Sequence, residues 1–100
     1  MNKPEIAVLL AAHNGREWLP QQVNSILNQV DVEVTLFVSV DNSTDGTESW
    51  FDHLAMVDSR VKVLLHGQCF GGAAANFFRL IRDVNFEPFD YVSFSDQDDI

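Results

Sequence analysis

The chain has 100 residues, 46% of them hydrophobic and 21% charged, and a formal net charge of −9. That length holds one domain with a real core, and the balance is that of a folded chain rather than a disordered one. The acidic excess excludes nonspecific nucleic-acid binding, which needs a basic face to displace counterions, but not anionic small molecules where a metal or backbone N–H groups supply positive charge.

Ile6–Ala12 (IAVLLAA) is a continuous apolar run, the pattern of a strand covered on both faces. A signal-peptide core is the poorer reading, because Lys3 alone makes a weak basic region and Glu5 immediately precedes the run. Leu19, Val23, Ile26, Leu27 and Val30 then recur on one face of a helix, with Pro20 tolerable in its first turn. Val34–Val40 (VTLFVSV) is a second strand, rich in β-branched residues. Asp45 and Glu48 stand three apart, as in a capping box, before Trp50, Phe51, Leu54 and Val57 on the next helical face.

Val61–Leu65 reads as a third strand. Gly67 and Gly71-Gly72 precede a helix whose inner face is predicted to be Ala74, Phe77, Phe78, Ile81 and Val84. Glu87-Pro88 ends that unit, and Tyr91–Ser95 is the fourth strand. The order β-α-β-α-β-α-β predicts an α/β fold, an open and mostly parallel Rossmann-like sheet wound with right-handed crossovers. No run reaches the roughly 20 apolar residues of a membrane helix. The single cysteine, Cys69, cannot form an internal disulfide, which fits a reducing cytoplasm.

Polar residues collect after strands. His13-Asn14 follow the first, Asp41-Asn42 the second, and Asp96 to Asp99 the fourth. Open α/β sheets bind ligands at these carboxyl ends. If the fourth strand returns beside the first, the strand order is 3-2-1-4, and Asn14, Asp41 and Asp96 to Asp98 surround one cleft. Like charges about 4 Å apart repel by roughly 4 kcal/mol at an effective dielectric near 20. An acidic turn of that kind is either a solvated loop or a cation site. Carboxylates without nearby thiols or paired imidazoles select hard ions, Mg²⁺ or Mn²⁺, which commonly bind one or two carboxylates plus a substrate's phosphates.

The blocks IAVLLAAHNGREWLPQQVNSILNQ, VSVDNSTDGT, GGAAANFFRLI and YVSFSDQDD together resemble the nucleotide-binding half of the family 2 glycosyltransferases, which have the GT-A fold. The likeness is greatest to bacterial, rhamnosyltransferase-like members that build surface polysaccharides. It implies that Ala12 and Asn14 line the base and ribose pocket with Glu17 close by. It also implies that Asp41 bonds the nucleobase or ribose, that Asn76 helps shape the donor pocket, and that Asp96 approaches the ribose or diphosphate. Asp98, with Asp96 beside it, is the implied holder of Mg²⁺ or Mn²⁺.

The chain departs from the family at Ala11-Ala12-His13, where Pro-Thr-Tyr is frequent, at Asp41-Asn42-Ser43, where Asp-Gly-Ser is common, and at Ala75, where a basic residue is frequent. The last leaves one phosphate contact that the resemblance would imply without its basic residue. Gln97 fits the rhamnosyltransferase-like subset without fixing the sugar.

The resemblance implies a UDP- or dTDP-linked sugar as donor, a saccharide or lipid-linked acceptor, and a metal-dependent, inverting transfer in polysaccharide biosynthesis. It implies a cytoplasmic location, with membrane association of the full-length enzyme as the alternative. The base that takes the acceptor's proton is expected beyond residue 100, so the chain reads as the donor half of a longer enzyme, truncated after its Asp-x-Asp motif and inactive alone. An exposed fourth strand invites self-association at Tyr91–Ser95.

The alternatives are a nucleotide-binding module without activity and, less well supported, a haloacid-dehalogenase-like phosphatase, whose Asp-x-Asp follows the first strand rather than the fourth. His13 is read as structural or solvated, with base stacking the alternative. His53 and His66 are placed on a helix surface and at a strand end. Phe77 and Phe78 are read as core, and Asp45 as a helix cap. Gly71-Gly72 either permit a tight turn or let the backbone approach a phosphate.

Overall fold

The computed structural model describes residues 3–64 and 73–96, with the backbone alone for Ala73 and Asp96. The strands are β1 (Glu5–Ala12), β2 (Glu33–Val40), β3 (Val61–Val63) and β4 (Tyr91–Asp96), and the helices are α1 (Leu19–Leu27), α2 (Thr47–Val57) and α3 (Ala73–Asp83). They alternate along the chain and form one sheet of order β3-β2-β1-β4. Every strand pair is parallel, with Ala7 opposite Thr35 on one side and Val92 on the other. The sheet order is the one expected from the sequence.

From Ile6 to Ala12 β1 is apolar because it lies between two strands and two helical layers. Val8, Leu10 and Ala12 join Leu36, Val38 and Val40 beneath α1 and α2, where Leu19, Val23, Ile26, Leu27 and Phe51 complete the larger core. The intervening Leu9 and Ala11 face α3, with Leu80, Val84 and the partly buried Phe37 and Phe77. Fully burying a side chain such as Leu10 or Phe51 is worth roughly 1.5–3 kcal/mol.

Several details depart from the periodicity. α1 stops at Leu27, with Asn28 donating its amide to the Asn24 carbonyl. Asp31 then takes a left-handed φ of 64° that turns the chain back into β2, so Val30 is exposed rather than on the helical face. Val57 likewise closes α2 in solvent. β3 ends at Val63, though the Leu64 amide still bonds the Val38 carbonyl; Leu65 lies outside the described residues.

The larger correction concerns α3. Its inward stripe is Asn76, Phe77, Arg79 and Leu80, continued by the buried Val84 just past its end, whereas Phe78 is 69% exposed, Ile81 45% exposed, and Ala74 exposed. Phe78 is therefore not core. The helix is rotated from the apolar expectation because Asn76 and Arg79 find buried partners on β2, described below.

Among the described residues, no helix is long and apolar enough to cross a membrane.

Candidate functional site at the carboxyl rim of the sheet

Parallel pairing brings the ends of β1, β2 and β4 to one rim. Ala11 is in register with Ser39 on one side and Asp96 on the other. Beyond β2, the Asp41 amide donates to the Ala12 carbonyl at 2.8 Å, which ties the next loop to the end of β1. Asp41 itself is buried, and its Oδ1 accepts the Asn42 amide at 2.9 Å.

Two loops are joined above this point. Asn14 takes a left-handed φ of 48°, a conformation Asn tolerates better than most residues. Its amide donates to Ser43 Oγ at 2.9 Å, and its Oδ1 accepts the Thr44 amide at 2.7 Å. Ser43 Oγ in turn donates to the Asp41 carbonyl at 2.8 Å, and its amide donates to Glu48 Oε2 at 3.1 Å. The Asn14 carboxamide oxygen is thus part of the scaffold that sets the height of the β1 loop over Asp41. His13 and Glu17 are exposed on the same loop, with His13 Nε2 3.3 Å from Asn14 Nδ2.

Asp45 does cap, but one position earlier than a capping box requires. The helix begins at Thr47 behind Gly46, whose φ of 86° suits glycine. Asp45 Oδ1 accepts the Thr47 amide at 3.1 Å and the Thr47 hydroxyl, and Oδ2 accepts the Arg16 amide at 3.0 Å. Burial pushes the Asp45 carboxyl up, but hydrogen bonds from Thr47 and Arg16 outweigh it and hold the group below the usual carboxylate value. Arg16 also lies over Trp50, 5.6 Å from the ring centroid.

Beneath the rim lies a polar group that apolar periodicity does not reveal. Asn76, 2% exposed, accepts from Ser39 Oγ through Oδ1 and donates through Nδ2 to the carbonyls of Ser39 at 2.9 Å and Ala12 at 3.4 Å. Arg79, 5% exposed, donates to Ser39 Oγ at 2.9 Å and pairs with Asp83 at 3.2 Å. α3 therefore braces the last turns of β1 and β2 from below. Ser39 and Arg79 were not foreseen as part of the site. The available signal was a serine inside VTLFVSV together with two polar residues three apart on the facing helix.

Of the residues singled out from the sequence, Ala12, Asn14 and Asp41 meet in one bonded cluster, and the backbone of Asp96 ends β4 on the far side of β1. Asn76 is buried beneath that cluster on the Ser39 and Ala12 carbonyls, and Glu17 is exposed on the β1 loop. Gln97, Asp98, Asp99, His66, Cys69 and Gly71-Gly72 lie outside the described residues. Among those described, no three His, Cys, Asp or Glu side chains gather closely enough to hold a metal ion. The sequence from Asp96 to Ile100 carries carboxylates and neither a thiol nor an imidazole, a donor set whose chemistry suits a hard divalent cation.

The sequence model of the family described as Glycosyl transferase family 2 matches residues 7–100. The dTDP-rhamnosyl transferase RfbG of Shigella flexneri is 44% identical over 92 residues, covering 91% of this chain and 32% of its own. A putative teichuronic acid biosynthesis glycosyltransferase, TuaG of Bacillus subtilis, is 30% identical over 97% of this chain and 37% of its own. In structure, TarS residues 1–349 from S. aureus superposes with a TM-score of 0.77 at 21% identity, over 94% of this chain and 27% of that one. The chain spans about a third of the length of these curated relatives.

Proposed function

The chain belongs to glycosyl transferase family 2, and from that premise we propose that it binds the donor, a nucleoside-diphosphate sugar, for a metal-dependent transfer in surface polysaccharide synthesis. The observation that carries this reading is the gathering of the β1, β2 and β4 ends at one rim. Such a rim is where open parallel sheets take nucleotides.

In this reading the nucleoside lies across the end of β1. Asp41 accepts hydrogen bonds from the base or ribose, Glu17 borders the pocket, and Ala12 contributes its backbone and a small surface. Asn14 acts chiefly by fixing its loop to Thr44 and Ser43, and Asn76 by holding Ser39 from below. Asp96 approaches the ribose or diphosphate. Asp98, with Asp96, would hold Mg²⁺ or Mn²⁺. Bound there, the cation would offset negative charge growing on the departing diphosphate as the anomeric bond breaks.

RfbG is named as a dTDP-rhamnosyl transferase, which favours a dTDP-linked donor over a UDP-linked one; the acceptor in this reading is a saccharide or a lipid-linked one. No residue of this chain is assigned as the acceptor's base, so residues 1–100 are expected to bind donor without transferring sugar. β4 is one of the two edge strands of the described sheet, and Tyr91, Val92 and Phe94 on it are exposed; these features support self-association through its outer edge.

The test is calorimetry of dTDP- and UDP-sugars with and without Mn²⁺, comparing wild type with Asp98→Ala. Binding that strengthens with Mn²⁺ in the wild type and loses that gain in the variant is expected. A folded wild type indifferent to the metal would remove Asp98 from its role.

A further inference from the structure

Glu48 sits half-buried in the first turn of α2. A capping-box glutamate returns to the amide of the N-cap residue, which here is Gly46. Glu48 Oε2 instead accepts the Ser43 amide at 3.1 Å, ahead of that N-cap in the loop that follows β2. The helix start is served by Asp45, which takes the Thr47 amide at 3.1 Å. A negative charge suits the positive end of a helix wherever its carboxylate points, so the dipole alone does not account for the reach to Ser43.

Ser43 is where the β1 and β2 loops meet. Its hydroxyl accepts the Asn14 amide at 2.9 Å and donates to the Asp41 carbonyl at 2.8 Å. The Asp41 amide is in turn held by the Ala12 carbonyl at 2.8 Å. Asp41 is thus fixed on one side by the end of β1 and on the other by Ser43. A shift of Ser43 moves Asp41 and Asn14 together, and Glu48 is what ties Ser43 to α2. Asp45 Oδ2 ties the β1 loop to the start of the same helix through the Arg16 amide at 3.0 Å.

We propose that Glu48 is a positioning residue for nucleoside binding: from the start of α2 it fixes Ser43, and through Ser43 it sets where Asp41 and Asn14 stand at the rim. The inference rests on the donor-binding reading above. Glu48 touches no nucleotide and exchanges no proton. It acts through an accepted hydrogen bond, so an uncharged acceptor of the same reach can replace it.

Glu48→Gln keeps an oxygen acceptor, Glu48→Ala removes it, and Ser43→Ala removes the hydroxyl through which Glu48 acts. The experiment titrates dTDP and UDP, each with and without Mn²⁺, into the full chain as wild type, the three single variants and Glu48→Ala/Ser43→Ala. Titrations are run well below each variant's melting midpoint, with thermal melts in parallel. Nucleotide affinity should fall about threefold to fivefold in Glu48→Ala, the scale of one hydrogen bond, and return to within about twofold of wild type in Glu48→Gln. The loss should be the same in every buffer in which the wild type binds. The double variant should bind no more weakly than Ser43→Ala, as for two residues acting through one path.

Affinity unchanged in Glu48→Ala overturns the inference and leaves the donor reading standing, whether or not the melting temperature falls, because Glu48 is then at most structural. A Glu48→Gln variant as weak as Glu48→Ala overturns it, as do additive losses in the double variant or a loss confined to Mn²⁺. A wild type that binds neither nucleotide in either buffer overturns the donor reading and this inference with it.

Discussion

Asn76→Ala separates a brace from a ligand. The Asn76 carboxamide makes two good hydrogen bonds, from Ser39 Oγ and to the Ser39 carbonyl at 2.9 Å, and a long one of 3.4 Å to the Ala12 carbonyl. The long bond matters little, because the Ala12 carbonyl keeps the Asp41 amide at 2.8 Å. Ser39 Oγ keeps Arg79 as donor at 2.9 Å but loses the acceptor for its own proton. A buried hydrogen bond contributes about 1 kcal/mol net, and stranding a buried partner costs about 1–3 kcal/mol.

With a small cavity added at this closed position, the loss should be about 2–4 kcal/mol. That is a large part of the roughly 5–15 kcal/mol that holds a domain together, and it lowers the melting midpoint by about 10–25 °C. Urea unfolding, followed by circular dichroism on the wild type, Asn76→Ala, Ser39→Ala and the double variant, measures both the loss and the coupling. The pair should couple by about 1 kcal/mol or more. A loss below about 0.5 kcal/mol, with nucleotide affinity alone reduced, would refute the brace and make Asn76 a ligand.

The Asp45 cap gives a pH signature. Its carboxyl lies below the usual value because hydrogen bonds from Thr47 and Arg16 outweigh the effect of burial. Its contribution is therefore complete above the unfolded value of about 3.9 and is lost as pH falls through the lower folded value. In melts across pH, wild type should exceed Asp45→Asn at neutral pH and converge with it in acid; a constant offset would show that the charge plays no part. Self-association through β4 should appear in sedimentation velocity as a concentration-dependent species. It should be favoured by added salt, which screens the −9 net charge, and abolished by Val92→Lys. A wild type that stays monomeric at high concentration removes the proposal.

Local pattern determined much of this protein. The apolar run of β1 could be satisfied only by cover on both faces, and its alternation with helical periods entailed a parallel sheet with polar loops at one rim. That Asn14, Asp41 and the end of β4 at Asp96 stand at one rim was legible because parallel strands end on the same side of a sheet.

Buried polar pairing was not legible. Asn76, Arg79 and Gln22 look like surface positions until Ser39 and Ser95 are found opposite them, and those partners are 37, 40 and 73 residues away. A helix presents whichever face lowers its free energy, and hydrogen bonds hidden in the far sequence rotated α3 until Phe78 met solvent. Hydrophobic period is a property of neighbours along the chain. The partner of a buried amide is decided only when the sheet has assembled.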